Sequence, residues 1–162
     1  MENKLKDQKV EKISFQDFQA EVLHDYQVAC TSREASLLGR KEVLTGKAKF
    51  GIFGDGKEVA QIAMAKVFQE GDFRSGYYRD QTFMFASGMS NVQNFFAQLY
   101  ANPDVQEEPS SAGRQMNGHY ATRLLDEQGE WNNLTASKNC SSDISPTAGQ
   151  MVRGLGLAFA SK

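Results

Sequence analysis

The 162-residue chain is 40% hydrophobic and holds 11 Phe, the makings of one packed domain rather than a disordered segment. Its formal charge is −2 and its Lys and Arg are dispersed, which gives no electrostatic case for nucleic acid or an anionic membrane surface. Cys30 and Cys140 make no disulfide framework, and no apolar run nears the roughly 18–20 residues of a membrane span. The polar N-terminus carries no secretory hydrophobic stretch, so the expectation is a cytoplasmic chain.

Residues 1–12 are mostly charged and read as a frayed end to a unit spanning 13–162. Ser14 followed by Asp17 resembles a capping box, and Phe15, Phe18, Val22, Tyr26 and Ala29 share one helical face. A helix is predicted over 15–38, ending near Gly39 or Gly46. After a Gly-punctuated loop at 43–53, a second helix is predicted from Lys57 to Gln69, with Val59, Ile62, Ala63 and Val67 as its stripe and Gly71 as its stop. Phe73–Tyr78 reads as a short buried strand leading to a turn at Tyr78-Arg79-Asp80, and Thr82–Ala86 as a helical turn closed by Gly88. Asn91 caps a third helix carrying Val92, Phe95, Phe96, Leu99 and Tyr100. Pro103–Gly113 is an exposed, partly acidic loop, and Asp126–Asp143 a second irregular stretch around Trp131. Ser145-Pro146 then reads as a cap with proline in the first turn of a last helix. Gly149, Gly154, Gly156, Ala158 and Ala160 in that helix suggest close packing against another backbone or a cofactor, since small residues weaken a helix.

Several segments bear chemistry. Arg79 at a strand-to-helix junction suits a phosphate through bidentate charge-assisted bonds, with the Tyr78 hydroxyl adding one and Asp80 orienting the guanidinium. The plain alternative is a helix start that Asp80 caps, with Arg79 solvated. In Gly113–Tyr120, GRQMNGHY, two glycines permit tight turns around Arg114, Gln115, Asn117 and His119. A histidine in such a loop suits proton transfer or substrate binding, and an ordinary satisfied histidine is the alternative; His24 lies off the first helix's stripe and should face solvent. At Ser145–Gln150, SPTAGQ, hydroxyls and free N–H groups offer donors to a polar ligand, or simple capping. Gly54-Asp55-Gly56 lacks both the downstream asparagine of a magnesium–diphosphate signature and the spacing of a dinucleotide fingerprint, and reads as the turn before the second helix.

Taken in order, Gly76–Asp80 (GYYRD), GRQMNGHY and SPTAGQ resemble the alpha subunit of the thiamine-diphosphate-dependent 2-oxoacid dehydrogenases, from about Tyr26 to Lys162. Gln115-Met116 resembles the branched-chain, 2-oxoisovalerate type more than the pyruvate type. The resemblance implies an α/β fold, here the helix-rich N-terminal part of a thiamine-diphosphate-binding fold with its sheet incomplete. It implies that Tyr78 and Arg79 contact the cofactor diphosphate, and that Ser145 and Thr147 line the thiazolium and aminopyrimidine. It places His119 near the substrate entrance as the catalytic candidate, with Arg114 and Gln115 in the substrate loop. Mg2+ accompanies the cofactor, its ligands expected beyond the end of this chain. Related enzymes build a potassium site around the Ser-Pro segment; Pro146 and Gln150 match it, but Ile144 and Gly149 stand where hydroxyl residues are expected.

The implied reaction is oxidative decarboxylation of a branched-chain 2-oxoacid with transfer of the acyl group to a lipoyl group. The implied partners are a beta-type dehydrogenase subunit or fused domain and a lipoyl-bearing dihydrolipoyl acyltransferase, in a homo-oligomeric assembly without nucleic acid or membrane. The chain alone is expected to be inactive. Two other readings stay open on the residues: a pyruvate or acetoin dehydrogenase alpha subunit, and a non-catalytic helical interaction module.

Overall fold

The computed structural model describes residues 13–162, so the expected frayed end at 1–12 lies outside the described residues. The Ser14 hydroxyl accepts the Asp17 N–H at 3.1 Å and opens α1 (Phe15–Leu44). This helix outruns the predicted 15–38. Gly39 lies inside it because the Phe53 ring fills the space of a side chain: a Cβ there would sit 2.4 Å from Phe53 Cε1. The helix ends only where Gly46 takes φ +77°. Its buried residues are Ser32, Ala35, Ser36, Gly39 and Glu42, whereas Phe15, Phe18, Val22 and Tyr26 of the apolar stripe are exposed. His24 is exposed, as expected.

α2 (Glu58–Val67) is shorter than the predicted 57–69 and turns a different face inward. Glu58, Gln61, Ile62 and Ala65 are buried, while Val59, Ala63 and Val67 point out. The polar members go inside because each is satisfied there. Glu58 accepts Arg33 Nε at 2.7 Å and Nη2 at 3.1 Å, together with the Gly56 N–H. Gln61 donates to the Arg79 carbonyl at 3.0 Å and accepts the Phe83 N–H at 3.0 Å. That second bond satisfies a free donor at the start of α3 (Gln81–Ala86), where Asp80 makes no side-chain cap.

Two strands, β1 (Phe73–Arg74) and β2 (Asn139–Cys140), pair in parallel with Arg74 opposite Cys140. The predicted strand at 73–78 stops after Arg74 because the chain then folds back on that side chain. Between the strands, Asn91 caps α4 (Val92–Leu99) by accepting the Asn94 N–H at 2.8 Å. Phe95 of that helix is 0% exposed and packs against the rings of Phe53, Phe85 and Phe96; Val92 and Tyr100 of the predicted stripe stay at the surface. A second core joins Ala65, Phe83, Met84, Tyr120 and Cys140, flanked by Phe68, Ala86 and Met89. In the irregular stretch, Leu125 bridges the exposed Trp131, and a 3-10 turn forms at Leu134–Ala136.

α5 (Gly149–Ala160) begins after Ala148, at φ +65°, and not at the predicted Ser145 cap. Ser145 is engaged elsewhere. No residue of α5 is buried; a Cβ on Gly156 would meet nothing within 4 Å, and one on Gly154 only Ser75 Cβ at 3.8 Å. Gly149 alone of these small residues is closely packed, a Cβ there lying 2.6 Å from Ile144 Cδ1; the close packing expected of the rest is not made among the described residues. The result is a helix-rich α/β unit with a small, incomplete parallel sheet, as expected. Among the described residues no helix is long and apolar enough to cross a membrane.

Arg33 holds the Glu58 carboxyl down at about 2 from its ordinary 4.5. A depressed folded-state value adds stability above the unfolded value and loses it as pH falls through the folded one. The wild type should therefore lose stability more steeply than Glu58→Gln between about pH 4.5 and pH 2, as read by denaturant titrations at stepped pH.

Candidate active site

Parallel pairing sends the chain off the carboxyl ends of β1 and β2 in the same direction, so the segments after each strand meet at one edge. In open parallel α/β sheets this edge is where ligands bind. Here the segments are Ser75–Asp80 and Ser141–Thr147.

Arg74 locks them together. Its side chain is 7% exposed and reaches Asp143 Oδ2 at 3.2 Å, Asp80 Oδ2 at 2.8 Å, the Tyr77 carbonyl at 3.2 Å and Cys140 Sγ at 2.8 Å. A Cβ at Gly76 would lie 1.8 Å from the guanidinium carbon, so the turn requires glycine for close approach. Asp80 thus orients Arg74, and not Arg79 as expected. Burial pushes the Cys140 thiol up to about 12, against the pull of Arg74, and burial raises the Asp143 carboxyl. Such a thiol is inert.

The predicted site residues come to this edge from three segments. The Tyr77 and Tyr78 rings lie 3.9 Å apart between centroids, and their hydroxyls hydrogen bond at 2.6 Å. Tyr77 Oη is also 3.3 Å from Thr147 Oγ1. His119 stacks on Tyr78 at 5.9 Å and is 4% exposed. Its Nδ1 lies 3.0 Å from the Met116 carbonyl and its Nε2 2.7 Å from Ser145 Oγ. A carbonyl only accepts, so Nδ1 carries a proton, and in the neutral ring Nε2 accepts from the Ser145 hydroxyl. Arg79 is exposed, its guanidinium 5.6 Å from the Tyr78 ring centroid, with no carboxylate partner among the described residues. Arg114 and Gln115 are exposed and line a cleft of about 250 Å³ whose wall includes His119 and Ser142.

The GRQMNGHY loop is held from below by groups that hydropathy does not reveal. Glu108, 1% exposed, accepts the N–H groups of Ser110, Ser111 and Gly113, each at 2.9 Å, and the Ser111 hydroxyl at 2.5 Å. Ser111 Oγ in turn accepts the Gln115 N–H at 3.0 Å. Asn117 pairs with both backbone groups of Ile52, and Gln98 with Gly118 N–H and the His119 carbonyl. Gly118 has φ +80°, and a Cβ there would sit 2.2 Å from the Tyr78 carbonyl. Gly54 abuts the same turn from behind, its absent Cβ 2.2 Å from the Arg79 carbonyl. The Gly54-Asp55-Gly56 segment is thus the turn before α2, and Asp55 pairs with Arg40 at 2.6 Å.

With this geometry in view, the family comparison is decisive: the model of the dehydrogenase E1 component matches residues 28–160. The chain belongs to that family. No curated protein matches it at a significant level. Membership makes it a component of a 2-oxoacid dehydrogenase, in a family that depends on thiamine diphosphate. The donors at the strand edge fit that cofactor's anionic end, because a guanidinium without a carboxylate partner lies over the ring of Tyr78, whose hydroxyl is bonded to that of Tyr77. Gln150 Oε1 is a buried acceptor with no donor in reach among the described residues. Among those residues no cluster of three His, Cys, Asp or Glu could hold a metal ion.

Sequence reading missed Arg74, Tyr77, Glu108 and Asp143. Glu108 gave no signal of its role, because the local side-chain-to-backbone turns that sequence reveals are those of Ser, Thr, Asn and Asp. Replacing Glu108 by Gln puts an NH2 group where several donors converge. The expected cost is about 1–3 kcal/mol of loop stability, seen as faster amide hydrogen exchange at Ser110–Gln115 with exchange in α4 unchanged.

Proposed function

We propose that this chain is the alpha-type portion of a branched-chain 2-oxoacid dehydrogenase. The observation that supports this most is the convergence of Tyr78, His119, Ser145 and Thr147 from three distant segments at one sheet edge. In this reading Arg79 and the Tyr78 hydroxyl hold the diphosphate of thiamine diphosphate by charge-assisted bonds. Ser145 and Thr147 face the ring portion of the cofactor. The bound cofactor supplies a carbon nucleophile for the 2-oxo group and an electron sink for decarboxylation.

Arg114 binds the 2-oxoacid carboxylate in the cleft it shares with His119, and Gln115 orients the chain of the substrate. His119 is the proton carrier: its Nδ1–H is fixed on the Met116 carbonyl, so Nε2 is the nitrogen that exchanges a proton through Ser145. The branched-chain assignment rests on Gln115-Met116. Mg2+ is held by groups other than the described carboxylates, of which Asp80 and Asp143 are spent on Arg74. The acyl group passes to the lipoyl group of an acyltransferase, and a beta-type subunit or domain completes the site in a cytoplasmic homo-oligomer.

The test is thiamine-diphosphate-dependent decarboxylation of 2-oxoisovalerate and of pyruvate by the complete enzyme that contains this chain, wild type beside Arg79→Ala. The expected outcome is preference for 2-oxoisovalerate, and a half-saturating cofactor concentration raised roughly tenfold to a hundredfold in the variant. Equal or better turnover of pyruvate removes the branched-chain assignment. A wild type that neither binds the cofactor nor turns over a 2-oxoacid removes the whole reading and leaves the interaction module.

A further inference from the structure

We propose that Tyr77 is a positioning residue for the cofactor: it occupies the Tyr78 oxygen as a donor, so that the Tyr78 proton is left for the diphosphate. The proposal rests on the cofactor reading above and extends it to a residue that reading does not use.

Tyr77 is held more tightly than a surface tyrosine needs to be. Its N–H donates to Asp80 Oδ2 at 2.9 Å and its carbonyl accepts from Arg74 Nη2 at 3.2 Å, so both backbone groups are fixed by the buried ion pair. Its ring is tilted 38° on that of Tyr78, and its hydroxyl donates to Tyr78 Oη at 2.6 Å. A phenol has one proton. Because Tyr77 gives its proton to Tyr78, the contact at 3.3 Å with Thr147 must run the other way, with the Thr147 hydroxyl donating to Tyr77 Oη. The hydroxyls form a directed chain, Thr147 to Tyr77 to Tyr78, and the Tyr78 proton at its end has no acceptor among the described residues.

Direction matters because a diphosphate oxygen only accepts. Were Tyr78 to donate to Tyr77, it would turn lone pairs toward an anion and repel it. Hydrogen bonds in series also polarise one another, so the terminal proton is a stronger donor than that of an isolated tyrosine. Arg79, its guanidinium 5.6 Å from the Tyr78 ring centroid, adds charge but cannot set the direction of a hydroxyl.

The simpler account of Tyr77 is aromatic packing, and Tyr77→Phe separates the two, since it keeps the stacked ring and removes only the donor. In the complete enzyme, Tyr77→Phe should raise the half-saturating thiamine diphosphate concentration roughly tenfold, with the rate at saturating cofactor falling by less than about twofold. Tyr78→Phe should give a similar rise, and the double variant no more than Tyr78→Phe alone, because the two hydroxyls act through one proton. Inorganic pyrophosphate, used as a competitor, should weaken by the same factor in each. Thr147→Val, at the exposed start of the chain, should give a smaller loss of pyrophosphate binding, a readout free of Thr147's own contact with the cofactor ring, and serves if Tyr77→Phe does not fold.

If Arg79→Ala and Tyr78→Phe weaken the cofactor but Tyr77→Phe and Thr147→Val do not, the inference is overturned and the cofactor reading stands. Additive effects of Tyr77→Phe and Tyr78→Phe also overturn it. If none of the four variants shifts cofactor or pyrophosphate binding, the cofactor reading itself falls.

Discussion

The buried guanidinium of Arg74 spans two segments that lie far apart in sequence, and its partners fix both. Asp80 belongs to the turn after β1, and Asp143 to the turn after β2. A strand pair of this length contributes too few ladder bonds to hold its own loops. The ion pairs supply what the ladder lacks. Arg74 also carries the site indirectly, because it holds the Tyr77 carbonyl while Asp80 holds the Tyr77 N–H. Removing one partner of such a buried pair typically costs about 3–5 kcal/mol. Here that loss falls on the turn that presents Tyr77, Tyr78 and Arg79.

Around this hub, three buried glutamines on three helices repeat one device. Gln61 of α2 binds the Arg79 carbonyl and the Phe83 N–H; Gln98 of α4 binds the Gly118 N–H and the His119 carbonyl. Gln81 of α3 donates to Ser32 and Ser36 of α1 and accepts the Gly54 N–H at 3.5 Å. Each amide both donates and accepts, so each joins a helix to a loop that has no ladder of its own. Apolar contact would bring the same pieces together without fixing their register. An amide left half-satisfied is penalised, which is why this arrangement selects one position for each loop.

These amides also explain what the sequence could and could not show. Local signals read correctly: Ser14 and Asn91 cap their helices, and Gly46, Gly113 and Gly118 take the positive φ that their turns require. The three site segments were recognisable because their residue order is specific, and they do meet. Hydropathy failed where polar groups are satisfied inside. On α2 it put Val59, Ala63 and Val67 inward, but Glu58 and Gln61 find charged and backbone partners there that no window of sequence reveals. Ser145 looked like a cap because capping needs only neighbours in sequence. Its true partner, His119, is 26 residues away.

The open side of the site bears on how the proposed reaction is completed. Arg79, Ser145 and Thr147 are all exposed, and the chain continues from them into α5, whose Met151, Val152, Leu155 and Phe159 are exposed as well. A small-molecule site ordinarily buries most of its ligand, about 70–90% of its surface. The described residues form one wall, with donors for an anionic end and a histidine fixed by its two ring nitrogens, but nothing that closes over it. Under the proposed function the second wall comes from a beta-type partner seated beside α5. The α5 face of small and apolar residues is one of the surfaces that the chain's own core leaves unused, beside the exposed stripes of α1 and α2. The same division accounts for the polar character of the wall described here: it sets the direction of hydrogen bonds and protons, while exclusion of water falls to the surface that covers it.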